Sequence, residues 1–198
     1  MTIRFADPAH DAPKILAIYA PYIEKTAITF ETEVPSPESF EQRVKEIAQH
    51  FPYLVLETDG EMIGYAYAHR QAERAAFAWN AELSIYIKES FTGRGMGVPL
   101  YGLLEELLIM QGYVNFYGVI TGSNDASIAM HEKMGYSVIG RHERTGFKFG
   151  QWHDTVWLHK RVGEGAPGEI VPVHALDADA VRERIESAQK KIEEKSKM

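Results

Sequence analysis

The residues of this chain best suited to chemistry are a run of alternating glycines, a glutamate just before it and a histidine beyond it. In Thr92-Gly93-Arg94-Gly95-Met96-Gly97, three glycines stand at every second position ahead of an apolar run. Glycine leaves backbone N–H groups bare. Where such groups precede a helix, the helix dipole adds partial positive charge, and the two together bind a phosphate or pyrophosphate. Arg94 either adds a charged hydrogen bond there or faces water. The spacing G-x-G-x-G is not the dinucleotide fingerprint G-x-G-x-x-G, and no G-x-x-x-x-G-K-[ST] is present. A tight strand-to-helix turn is the plain structural alternative. In the preceding stretch 81–87, strand alternation sends Ala81, Leu83, Ile85 and Ile87 one way and Glu82, Ser84 and Tyr86 the other. Glu82 on a polar face beside an anion site suits a general base; a lone glutamate on such a strand is more often a solvated carboxylate.

Further on, Asn124-Asp125-Ala126-Ser127 opens a short helix. Asn124 or Ser127 suits its N-cap. His131 follows two turns later, and imidazole titrates near neutrality, so it can give or take a proton. Without neighbours it reads equally as a packing residue. His131-Glu132 does not extend to H-E-x-x-H, because Gly135 fills the second position. The other histidines show no metal-ligand spacing, no G-x-S-x-G elbow is present, and the absence of cysteine removes thiolate chemistry and disulfides. Arg74 suits two parallel hydrogen bonds to a planar oxyanion; locally, a surface ion pair with Glu73 or Glu61 competes.

These residues need elements to hold them. Hydrophobic spacing predicts a strand over 3–6, helices over 11–25 and 38–49, and an extended segment over 27–31. A hairpin over 53–69 turns at Asp59-Gly60. A strand over 77–87, the glycine loop and a helix over 99–111 closed by Gly112 come next. A strand over 115–121, a helix over 127–134 and strands over 136–141 and 155–160 complete the body. The order β-α-α-β-β-β-α-β-α-β-β implies a mixed sheet flanked by helices, an α/β (α+β) class. Domain boundaries are expected at 1–162 for this body and 163–198 for a linker, Gly163 to Gly168, followed by a charged helical tail. Val181, Ile185, Ala188 and Ile192 form a narrow apolar stripe on that tail, fit for packing on the body or on a second subunit; a solvated tail is the alternative.

The composition, 45% hydrophobic and 25% charged, is that of an ordinary globular chain, and a net charge of −7 offers no nucleic-acid footprint. No apolar run approaches the ~20 residues of a membrane span, and residues 1–6 lack the features of a signal peptide. A cytoplasmic protein with no nucleic-acid or membrane partner is expected.

Together these features resemble the GNAT superfamily of acetyl-coenzyme A-dependent N-acetyltransferases. The strand, glycine loop and helix resemble its pyrophosphate-binding motif. Asn124-x-x-Ser127-x-x-x-His131-Glu132-Lys133-x-Gly135-Tyr136 resembles its C-terminal motif. Within the superfamily the chain is similar to the phosphinothricin and methionine sulfone N-acetyltransferase-like subfamily. That similarity is carried by Ile28-Thr29-Phe30-Glu31, Gly64-Tyr65-Ala66-Tyr67, Glu73-Arg74-Ala75, Glu82-x-Ser84-Ile85-Tyr86-Ile87 and Lys148-x-Gly150-x-Trp152-x-Asp154. It covers about residues 2 to 160.

The resemblance implies a central sheet splayed at the acetyl-CoA site, with acetyl-CoA as co-substrate and no metal. It implies pyrophosphate on the backbone of Gly93, Arg94, Gly95, Met96, Gly97 and Val98. The pantetheine arm would lie along Ile85, Tyr86 and Ile87, with Asn124 and Ser127 also at the coenzyme. Glu82 would be the general base and His131 an acid/base. Phe30, Tyr67, Arg74, Phe77 and Tyr86 would line the pocket for a small amino-acid analogue. A homodimer is implied, and the Val181–Ile192 stripe is a candidate extension of its interface. A polyamine, antibiotic or peptide amine is the rival acceptor, and a non-catalytic acyl-CoA-binding module the rival class. Two positions depart from the pattern: Thr92 stands where Arg or Gln is usual, and Phe77 where the herbicide-inactivating enzymes often carry Tyr.

Overall fold

The computed structural model describes residues 1–164 and 166–195. Gly165 of the expected linker and residues 196–198 of the expected tail lie outside the described residues. Strand β1 (Thr2–Phe5) leads into α1 (Pro8–Lys25) and α2 (Pro37–Ala48). Both helices begin as their sequences require, with Asp7 and Ser36 accepting N-terminal N–H groups and proline in the first turn. The hairpin follows as β2 (Tyr53–Thr58) and β3 (Glu61–Arg70), then β4 (Asn80–Ile87), α3 (Gly97–Gln111) and β5 (Asn115–Thr121). Helix α4 (Asp125–Lys133), strands β6 (Ser137–Lys148) and β7 (Gln151–Arg161), and helix α5 (Ala178–Lys195) complete the chain.

The seven strands form one mixed sheet in the order β1-β2-β3-β4-β5-β7-β6. Only β4 and β5 run parallel, and their pairing stops after Asn80–Asn115, Ala81–Phe116 and Glu82–Tyr117. From Leu83 onward β4 keeps its antiparallel partner β3 but has no strand on its other side. That opening is the feature of the fold that makes a site.

Two cores lie on opposite faces of the sheet. On one, Ala81 and Leu83 of β4 join Leu100, Leu104 and Leu107 of α3, with Ile85 and Ile87 packed alongside. On the other, Ile15, Tyr19 and Ile23 of α1 pack with Tyr53, Tyr65 and, at the margin, Tyr86. The alternation read along residues 81–87 is thus the division between the two cores.

Helix α3 is apolar almost all round, which requires cover on more than one side. The sheet supplies one side and α5 the other: Ala188 and Ile192 are fully buried with α3 in one core, and Val181 and Ile185 pack against it. The apolar stripe of the tail is therefore used within the protomer, and the expectation that it extends a subunit interface is corrected.

Other elements differ from their predicted extents. The stretch 27–31 is a series of bends rather than a strand, and residues 75–77 form a 3-10 turn before β4 begins. Residues 169–175, between the linker and α5, carry no strand and end in a 3-10 turn. Strands β6 and β7 run well beyond the predicted segments. Both are interrupted by register shifts and largely exposed along β6, which erases the apolar alternation that marks a half-buried strand.

Candidate active site

Where β4 and β5 part, a small cleft opens. It is lined by Leu83, Ser84, Ile85 and Tyr86 on one arm, Val119 and Ile120 on the other, and Asn124, Ser127 and His131 of α4 at its end. Ile28 closes it from the α1–α2 connection. That connection is pinned from two sides: Thr121 Oγ1 donates to the Ala27 carbonyl at 2.5 Å, and Lys148 Nζ donates to the Thr29 carbonyl at 2.8 Å. Burial lowers the Lys148 ammonium from its usual range.

The glycine loop lies beyond the open end of β4. Gly93 and Gly95 have φ of 74° and 75°, a conformation that only glycine adopts without strain. Among the described residues, the N–H groups of Gly93, Arg94, Gly95 and Met96 have no protein acceptor, whereas Thr92 N–H is bonded to the Glu89 carbonyl. Four bare donors ahead of a helix of 15 residues form an anion cradle. Met96 is buried beneath it, and Val98 faces solvent. The side chains flanking the cradle turn away. Thr92 Oγ1 donates to Glu89 O at 2.8 Å, and Arg94 donates to Ser90 O at 2.8 Å with its guanidinium 4.7 Å over the Phe91 ring. The cradle is therefore built of main chain.

Glu82 sits at the apex, the last paired residue before the strands separate. Its carboxylate shares the α1 face with Tyr67 and lies 3.7 Å from His69 Nε2. Burial raises its pKa above the ordinary carboxylate range, and His69 offsets part of that rise. A carboxylate whose proton affinity is raised is a stronger proton acceptor than an ordinary one. Tyr67 stacks on Tyr53 with centroids 4.9 Å apart, close to Ser84. The Tyr86 ring is wedged among Tyr19, Tyr22 and Tyr65, so Tyr86 presents main chain as well as side chain to this region.

His131 is on the opposite face, only 3% exposed. Nδ1 lies 2.7 Å from the Ser127 carbonyl, which can only accept, so Nδ1 carries the proton. Nε2 lies 2.9 Å from the Tyr101 hydroxyl and accepts from it. Burial lowers the pKa of the ring, opposed by the Ser127 bond, and the imidazole is neutral at pH 7. Tyr101 and Tyr136 meet the ring edge-to-face, each with centroids 5.0 Å away. Gly118 makes this possible, because a Cβ there would stand 3.0 Å from Nε2. Asn124 is the N-cap of α4, accepting the Ser127 N–H, so both residues hold the helix that carries His131.

The sequence-derived residues divide accordingly. Ile85, Tyr86, Asn124, Ser127 and His131 line one cleft, with Glu82 at its apex and Gly93 to Gly97 beyond its open end. Phe30 packs instead on the β6–β7 hairpin, against Gly146 and with its centroid 6.2 Å from His153. Arg74 and Phe77 stand exposed at the 3-10 turn before β4, and no contact ties them to the cleft. Two participants escaped the sequence reading. Tyr101 of α3 bonds His131, and Tyr22 of α1 donates its hydroxyl to the Ile87 carbonyl at 2.5 Å. Nothing in their local spacing signals either partner, which lies 30 and 65 residues away.

The mixed sheet thus opens between its parallel strands into a cleft with unbonded main-chain N–H groups beyond one end and a carboxylate at its apex, an arrangement suited to group transfer. Residues 3–157 match the acetyltransferase (GNAT) domain, and the chain belongs to that family of acetyltransferases. It is 32% identical over 166 residues to phosphinothricin N-acetyltransferase of Streptomyces viridochromogenes, covering 83% of this chain and 91% of that one. It is 33% identical over 153 residues to the L-methionine sulfoximine/L-methionine sulfone acetyltransferase of Pseudomonas aeruginosa, covering 75% and 87%. Among solved structures, the phosphinothricin acetyltransferase from Sinorhizobium meliloti in complex with AcCoA superposes with a TM-score of 0.79 at 33% identity, covering 90% of this chain and 96% of that one. No helix among the described residues is long and apolar enough to cross a membrane, and no cluster of three or more candidate metal ligands occurs among them.

Proposed function

We propose that the protein transfers an acetyl group from acetyl-CoA to the α-amine of a small amino-acid analogue of the phosphinothricin, methionine sulfone or methionine sulfoximine type. The observation that carries this reading is the β4–β5 opening, with bare loop N–H groups beyond one end and the raised carboxyl of Glu82 at the other. The names of the relatives support the acceptor class, and the acetyl-CoA complex of the S. meliloti neighbour supports the donor.

In the proposed mechanism, Glu82 takes a proton from the substrate ammonium, directly or through water, because a protonated amine has no lone pair. The free amine attacks the thioester carbonyl, and main chain near Tyr86 polarises that carbonyl. As the adduct collapses, its nitrogen loses a second proton while the departing thiolate gains one. Neutral His131 would take that proton at Nε2 by way of the Tyr101 hydroxyl bonded to it and return it by the same route, so one proton in total remains, on Glu82. Acid–base assistance of this kind is worth ~10²- to 10⁴-fold in rate. Holding both reactants in line contributes a further ~7–11 kcal/mol toward the barrier. Arg74 would hold the acidic group of the acceptor, with Phe30, Tyr67 and Phe77 around it.

The body of the chain, 1–162, is read as the catalytic domain and the protein as a cytoplasmic homodimer. Strand β6 is an open sheet edge, and Val138, Ile139, Phe147, Phe149 and Trp152 of the β6–β7 hairpin are each about half exposed, which supports self-association there.

The test is release of free thiol from acetyl-CoA across amino acids, their sulfone, sulfoximine and phosphinate analogues, polyamines and aminoglycosides. Turnover confined to the acidic tetrahedral analogues is expected. Turnover only with polyamines or aminoglycosides would discard the acceptor assignment. Coenzyme binding with silence across the panel would replace the enzyme reading with a binding module.

A further inference from the structure

Helix α5 lies beyond the residues matched by the family, and its course is set by α3. It starts near the C-terminal half of α3, where Arg184 approaches Glu106 at 3.9 Å. It buries Ala188 and Ile192 and ends beside the N-terminus of α3. At that end, Lys195 lies across the glycine loop: a Cβ placed on Gly95 would be 3.2 Å from its Cδ, 3.6 Å from its Cβ and 3.8 Å from its Cγ. Lys195, Gly93, Arg94 and Met96 share the wall of one cavity of about 560 Å³. Among the described residues, Lys195 has no ion-pair partner; the same cavity is lined by two carboxylates, Asp59 and Glu61, of which Glu61 is paired with Lys88.

The loop lacks a cation of its own that points outward. Thr92 is uncharged and bonded to Glu89 O; Arg94 is held on Phe91 and Ser90. The chain as a whole carries a net charge of −7. A polyanionic ligand approaching this loop therefore meets repulsion at long range and needs positive charge close by. A lysine is a flexible point charge on a long stem, suited to reach a phosphate over a glycine.

We propose that α5 delivers Lys195 to the glycine loop as a phosphate-contacting residue for coenzyme A, so that the C-terminal helix adds an unpaired cation to a site where the body supplies only Arg94, held on Phe91 and Ser90, and the Met1 ammonium, paired with Glu193. This inference rests on the acetyl-CoA reading above. It makes Lys195 a binding residue, with effects on affinity and KM and none on kcat.

The experiment is calorimetric titration of the full chain with acetyl-CoA, for wild type, Lys195→Ala, Lys195→Glu and Lys190→Glu, at low and high salt, together with steady-state kinetics. Lys190 is exposed on the same helix, and K190E changes the net charge as K195E does. Expected are a Kd and KM raised about threefold to tenfold in K195A, more in K195E, unchanged kcat, and a penalty that shrinks with salt. A K195A penalty that persists with 3′-dephospho-acetyl-CoA supports contact with the pyrophosphate; one that vanishes supports contact with the 3′-phosphate. Wild-type affinity in K195E, or equal losses in K195E and K190E, would overturn the proposal while leaving the acetyltransferase reading intact. Failure of the wild type to bind acetyl-CoA would overturn both.

Discussion

Glu82 and His131 face the same opening from opposite sides of the sheet, and their surroundings differ in kind. Glu82 has the His69 ring 3.7 Å away, Tyr67 on the same face and a side chain still 22% exposed. His131 is buried with both ring nitrogens occupied and an aromatic ring on either side. The carboxylate is held loosely enough to exchange protons with a ligand or water. The imidazole is part of the framework that joins α3 to α4. The two positions therefore separate chemistry from architecture: the first is destabilised for function, the second is stabilised and carries its function through a fixed tautomer.

Glu82→Gln breaks that comparison most sharply. Turnover should fall ~10²- to 10⁴-fold with coenzyme affinity retained. Its stability should not fall. Because folding raises the Glu82 pKa, the native state holds this proton more tightly than the unfolded chain, and ionised Glu82 costs stability at pH 7. Removing the charge relieves that cost, so the melting temperature of E82Q should equal or exceed that of wild type by calorimetry.

His131→Ala should do the reverse, losing activity and stability together. It leaves the buried Tyr101 hydroxyl without its acceptor and opens a void between Tyr101 and Tyr136, a loss of ~2–4 kcal/mol in denaturant unfolding. Gly118→Ala presses a methyl group against Nε2 and should cost ~1–3 kcal/mol, with kcat falling as the ring shifts. Tyr101→Phe is the mildest, at ~0.5–1.5 kcal/mol. It removes a hydrogen bond that favours the neutral ring, so the His131 titration followed by NMR should move upward in pH. An unmoved titration would show that the Tyr101 bond does not favour the neutral ring.

The sequence made one side of this comparison far more legible than the other. Alternation along residues 81–87 separates Glu82 from the core-facing Leu83 and Ile85, and the glycine spacing marks the cradle, because both signals are local. The environment of His131 depends on Tyr101, 30 residues away on a helix whose every face is apolar, so periodicity has no preferred direction to report. The same holds for α5. Its stripe at Val181, Ile185, Ala188 and Ile192 shows that it must be covered, while the covering surface exists only once α3 is laid on the sheet. Strands β6 and β7 were legible only where they cross the buried part of the sheet; their exposed, register-shifted ends carry no alternation. For Arg74 and Phe77 the role comes from the family resemblance alone; both stand exposed at the 3-10 turn before β4.

The measurement that tests the central claim most directly is the pH dependence of kcat/KM for thiol release with methionine sulfone as acceptor, in wild type and E82Q. The account predicts a wild-type rate that falls toward low pH, with an acid limb above the ordinary carboxylate range as Glu82 takes up its proton, and a limb that disappears along with most of the activity in E82Q. A fully active E82Q with the same acid limb would contradict the assignment of Glu82 as the base.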